Sequence, residues 1–347
     1  MKEKVFFFSI RHPLLLILLF AMALKVVAAV FTGGYIFDNE YFNYYKVPAS
    51  LLENKWLVFS IRLILATFSL LVITFSYRIV KVISNRKTAL ETAFLLAFLW
   101  FMPYVSAHPL HQAVTMPFLL YGTLLIVKQD YLLSIKEIEK FHRTTFIIAG
   151  FFLGLGFSVW YQSILYYIGI IIALLVLKNW KGVLMTIIGF VIAVCITQSI
   201  FDLFIWGKPF VNMIEFFKNS GVYLFSRNIQ TPWFYYSFLM ILIGMAPPLS
   251  LMVTFGFFKV WRKYLLLFLP TFLFLLYYMV FPNTNGIYIL PIIPTFVICG
   301  FVGWKEFKRK SVFWTKNKRL LLYLNVLAAI VNLVFMVLIF IKTYNFI

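Results

Sequence analysis

The 347-residue chain is 63% hydrophobic and only 12% charged, which excludes a soluble globular protein. Its formal net charge of +20 is spread over short segments between apolar runs, so membrane topology explains it better than nucleic-acid binding, and no nucleic-acid partner is expected. Cys195 and Cys299 both lie inside apolar segments, which excludes a disulfide framework or a cysteine metal site and leaves them as packing residues.

Apolar runs fit to cross about 30 Å of hydrocarbon fall at 12–31, 57–80, 89–107, 109–127, 145–159, 162–177, 182–205, 233–258, 264–281, 287–303 and 319–341. They predict an all-α polytopic membrane protein of about eleven transmembrane helices, a single transmembrane domain over 1–347 with outer loops at 32–56 and 207–232. Lys2, Lys4 and Arg11 precede the first run without a small-residue cleavage site, so it reads as an uncleaved helix. The third and fourth runs are parted only by His108-Pro109, and the fifth and sixth break near Trp160-Tyr161-Gln162, as tight hairpins or re-entrant pairs.

Placing the amino terminus in the cytoplasm and the carboxy terminus outside puts most of the 31 Lys and Arg on the inner side, including Arg78, Lys81, Arg86, Lys87 and the run from Lys305 to Arg319. Asp38, Glu40, Glu53 and Glu215 then fall in the two outer loops, with Asp202 just inside the membrane before the second.

Candidate chemistry gathers on that outer side. Asp38 and Glu40 are two apart in a loop, where both carboxylates can converge on one ligand; an acidic turn beside an aromatic belt is the alternative. Arg62 follows Ser60 about 8–9 Å below the outer surface at about 1.5 Å per residue. At that depth an arginine is paired, faces a cavity or snorkels, and a phosphate at the interface is within its reach. Lys25 lies near the outer end of the first span, where its stem is expected to snorkel. His108 and His111 are three apart, a spacing that can put both on one helical face, either to contact a sugar or phosphate or as interfacial structure. No third ligand accompanies them, so a metal site is not supported. The second loop, from Trp206-Gly207-Lys208-Pro209-Phe210 through Arg227 to Thr231-Pro232-Trp233, suits carbohydrate stacking, a lid over a lipid head group, or an ordinary interfacial loop.

In order, Phe37-Asp38-Asn39-Glu40-Tyr41-Phe42, Ser60-Ile61-Arg62, Asp202 with Gly207-Lys208-Pro209-Phe210, and Pro232-Trp233 resemble the landmarks of polyprenyl-phosphate-sugar-dependent glycosyltransferases with the GT-C fold, especially family 22 mannosyltransferases. The resemblance spans roughly residues 30–305. Glu40 holds the family's Glu position, whereas Asn39 stands at its Asp position and Asp38 is displaced by one. Asn283-Thr284-Asn285-Gly286 replaces a charged late segment.

The resemblance implies an inverting transferase, with no cofactor required and a divalent metal possible but unsupported, that moves a sugar such as mannose from a polyprenyl-phosphate donor to an acceptor hydroxyl on the outer face. The acceptor is lipid-linked or a protein, and membrane lipids surround both. Asp38 would be the base, Glu40 would orient the acceptor, and Arg62, His108, His111, Lys208 and Arg227 would bind donor phosphate or substrate. Two other readings stay open: a non-catalytic GT-C-like subunit that binds a lipid-linked sugar or a membrane partner, and a transporter or flippase. Few midplane charges and no internal repeat weigh against the last.

Overall fold

The computed structural model describes residues 12–32, 55–134, 142–225, 236–280 and 286–343, and its elements there are helices. They follow as α1 (Pro13–Phe31), α2 (Lys55–Ile83), α3 (Arg86–Phe98), α4 (Met102–Ala107), α5 (His111–Ser134), α6 (Arg143–Val159), α7 (Ile164–Val176), α8 (Trp180–Trp206), α9 (Val211–Phe225), α10 (Tyr236–Gly244), α11 (Leu249–Lys259), α12 (Leu265–Val280), α13 (Ile293–Lys310), α14 (Val312–Lys316) and α15 (Lys318–Lys342). Short 3-10 turns at Tyr161–Ser163 and Gly286–Ile292 precede α7 and α13.

Among the described residues, five helical runs are long and apolar enough to cross a membrane: α1, α2, α8, Tyr288–Lys310 and α15. The runs Arg143–Val159, Tyr161–Val176, Leu249–Lys259 and Leu265–Val280 are apolar but shorter. Hydrocarbon supplies no hydrophobic drive between helices, so association depends on close packing. Gly150 and Gly154 bring α6 onto α8: a Cβ on Gly150 would stand 2.0 Å from Thr186 O, and one on Gly189 1.9 Å from Ile147 O. Gly256 of α11 meets Gly300 and Gly303 of α13 in the same way.

Breaks fall where the backbone loses its ladder. Leu99 is extended, ending α3, and Pro103 opens α4. The expected direct junction of third and fourth runs at His108-Pro109 is therefore one of two interruptions. The break between the fifth and sixth runs lies where the sequence placed it, at Trp160, with Tyr161–Ser163 turning into α7.

Side-chain contacts define two ends of the bundle. Thr32, Arg62, Ala107, the Trp160–Gln162 turn, Gln198 and Tyr278 mark one. At the other, Tyr264 donates to Ile83 O at 3.2 Å, Lys263 pairs with Glu306 at 2.6 Å, and Lys305 pairs with Glu91. The first carries the chain's candidate chemistry and the second its basic clusters.

Candidate functional site

The last carbonyls of α1 have no partner within their own helix and carry the negative end of its dipole. Arg62, only 6% exposed, answers them: its Nη1 donates to Thr32 O at 2.7 Å and to Ala29 O at 3.2 Å. Three alanines make the approach possible, since Ala28, Ala29 and Ala107 pack together beneath Phe59 and Phe340. The arginine thus holds the carboxy-terminal end of α1. Sequence reasoning singled out Arg62 from its depth, but the carbonyl partners depend on the packing of α1 against α2.

His108 is fully buried. Pro109 disfavours helical geometry at the preceding residue, and His108 is extended at φ −101° and ψ 148°. Its ring stacks on Tyr104 with centroids 4.1 Å apart, and Nδ1 lies 2.9 Å from Tyr104 O. A carbonyl only accepts, so Nδ1–H donates and Nε2 becomes the acceptor of the neutral ring. Arg62 is close enough to act on His108 electrostatically. A second cation buried beside that guanidinium would be costly, so the neutral form suits the site. His111, half-buried, opens α5 and does not share a helical face with His108, because Pro109 and Leu110 intervene outside the helix. The expected i, i+3 arrangement is thereby corrected. Tyr104, whose carbonyl and ring orient His108, had no signal in the sequence beyond its place in an apolar run.

Lys25 does not snorkel. It is 3% exposed, and its Nζ donates to Ser69 Oγ at 2.5 Å, while Ser69 Oγ donates to Ala66 O at 2.7 Å. A cavity of about 10 Å³ beside it, lined also by Ser106 and Met102, has room for about one water. The stem points into the seam with α2, away from lipid, which places the ammonium below Arg62 inside the bundle.

The segment after α8 has its own buried anchor. Asp202, 2% exposed, accepts from Asn212 N at 3.1 Å and Asn212 Nδ2 at 2.7 Å, so it caps the first turn of α9 across the intervening turn. Gly207 at φ 69° ends α8 in the left-handed region, and Phe210 follows at φ 61°. Gln198 Oε1 accepts from Tyr161 OH at 2.7 Å, and Phe216 of α9 meets Tyr161 with centroids 5.0 Å apart. Beside them Trp160 stacks on Tyr288 at 6.2 Å, Tyr288 on Tyr278 at 6.0 Å, and Tyr278 OH donates to Gln162 Oε1. This aromatic wall was visible in the sequence only as a helix break.

Lys208 is exposed on the turn after α8 and makes no ion pair among the described residues. Asp38, Glu40 and Arg227 lie outside the described residues. Among those described, no group of three or more His, Cys, Asp or Glu is placed to hold a metal ion.

The model of the Alg9-like mannosyltransferase family matches residues 6–347. The chain belongs to that family. The match extends over residues 32–56 and 207–232 and over both buried anchors, Arg62 and Asp202, and the GT-C fold and membrane glycosyltransferase class come with it. No curated protein matches the chain.

Proposed function

We propose that this member of the Alg9-like mannosyltransferase family transfers mannose from a polyprenyl-phosphate donor to an acceptor hydroxyl at the end of the bundle that holds Arg62 and His108. In this reading about eleven membrane crossings put that end outside the cytoplasm, with the amino terminus inside and the carboxy terminus outside. The supporting observation is the buried Arg62–His108 neighbourhood at the root of the Asp38–Glu40 loop, in a chain matched to the family from residue 6 to 347.

Asp38 follows Thr32 by six residues, a tether of at most about 22 Å at about 3.6 Å per residue, so holding Thr32 limits where the carboxylate can act. The acceptor oxygen forms its bond to the anomeric carbon from the face opposite the phosphate, inverting the centre. Asp38 takes the acceptor's proton, Glu40 orients the acceptor, and the carbon–oxygen bond to the polyprenyl phosphate breaks with its electron pair going to the phosphate oxygen. Arg62 stabilises that developing charge. In this reading His108, beside Arg62, helps to shape the donor site. Lys208, His111 and Arg227 are placed by this reading on the rim, where they meet the donor or acceptor. In this reading no cofactor is required, the charge gained by the leaving phosphate being offset by Arg62.

The donor is the element to test first. Purified protein in liposomes, given radiolabelled mannose on polyprenyl phosphate or on a nucleoside diphosphate with a lipid-linked oligosaccharide acceptor, should label the acceptor only from the polyprenyl donor. Labelling only from the nucleotide sugar would overturn the donor assignment.

A further inference from the structure

At the basic end of the bundle, away from the site above, a cavity of about 570 Å³ opens between α1, α3, α13 and α15, a size typical of ligand-holding sites. Phe94, Phe98, Phe301 and Leu321 make its walls apolar. The gap arises because α15 touches the bundle along only part of its length. Its buried residues are Ala328, Asn332, Met336 and Ile339, all from Ala328 onward, and Asn332 Oδ1 also accepts from Trp100 N at 3.4 Å. From Lys318 to Leu327 none is buried, and the slot is lined by Leu321 and Asn325 of that stretch and by Ala328, Ala329 and Asn332 just beyond it.

Its charged rim is unbalanced. Glu91 pairs with Lys305, while Lys308 also lines the slot. Lys87, Lys308 and Arg309 are close enough to act electrostatically on Lys305, and Lys87 on Lys308. Glu306, the nearby acid, is engaged by Lys263 at 2.6 Å and by Tyr264 OH at 2.7 Å. An apolar slot beside a helix, closed at the interface by excess cations, matches an amphiphile with an anionic head.

We propose that this slot binds an anionic phospholipid from the leaflet at the basic end, with an acyl chain along Phe94, Phe98 and Phe301 and its phosphate against Lys87 and Lys308. The lipid fills the space between α15 and the bundle and braces the helix there. The reading is independent of the proposed transfer chemistry.

The test is native mass spectrometry of the delipidated full chain after addition of phosphatidylglycerol, phosphatidylcholine or polyprenyl phosphate, alongside thermal unfolding in detergent. Phosphatidylglycerol should be retained about tenfold or more over phosphatidylcholine and raise the melting temperature more. Lys87→Gln with Lys308→Gln should abolish the preference. Ala329→Trp, which narrows the slot without touching its charge, should reduce phosphatidylglycerol retention while the protein stays folded. Equal retention of the two phospholipids, full retention by the double variant, or retention of polyprenyl phosphate without phosphatidylglycerol would overturn the proposal.

Discussion

Arg62 combines a structural task with a chemical one, and substitutions separate them. Arg62→Ala strips two carbonyls of a charged donor, and charge-assisted hydrogen bonds contribute about 1.5–3 kcal/mol each, so it should lower the detergent melting temperature as well as activity. Arg62→Lys retains the charge but not the planar fork. We expect it to keep most of the stability and lose transfer by at least about tenfold, read as initial rate beside a melting curve; full activity in the lysine variant would remove the fork from the mechanism. Asp202→Asn tests the second anchor. With a single carbonyl oxygen facing Asn212 N and Nδ2, which stand 3.1 and 2.7 Å from the two carboxylate oxygens, it should cost about 1–3 kcal/mol and increase proteolysis between α8 and α9. An unchanged cleavage pattern would mean that Asp202 does not hold α9.

At the scale of helices, the glycine contacts make the clearest prediction. Gly150→Leu drives a side chain into the backbone at Thr186 and should abolish a folded monodisperse protein, whereas Gly244→Ala, with nothing within 4 Å of its Cβ, should leave the melting temperature unchanged or slightly raised. Similar losses from both would mean that α6 and α8 do not approach as described. These elements also show what a linear reading can reach. The long apolar runs were legible because hydropathy is a local property, and the break at Trp160 was legible because a polar cluster interrupted it. The interruption at Leu99–Phe101 was not, since those residues are apolar and the helix stops for reasons of packing around Trp100, whose indole donates to Gly244 O and whose backbone N–H donates to Asn332. Among site residues, Arg62 was conspicuous as a charge in an apolar span. The separation of His108 from His111 followed from Pro109, and the burial of Lys25 from a neighbouring serine 44 positions away, which no spacing rule reveals.

On the scale of the whole molecule, the two ends divide the labour: buried single charges root the loops at one, and clustered cations surround the slot at the other. If the positive-inside assignment is right, cysteines introduced at Lys208 and at Lys316 in an otherwise cysteine-free protein will react with a membrane-impermeant thiol reagent from opposite sides, Lys208 from outside. Labelling of both from one side would contradict the topology. Transfer by this chain, with the Asp38–Glu40 segment that follows the end of α1 held by Arg62, is the central claim. The most direct measurement is mannosyl transfer from polyprenyl-phosphate mannose by reconstituted wild type and Asp38→Asn at matched folding. The account predicts transfer by the wild type and a fall of at least about hundredfold in the variant; equal rates, or no transfer by a folded wild type, would contradict it.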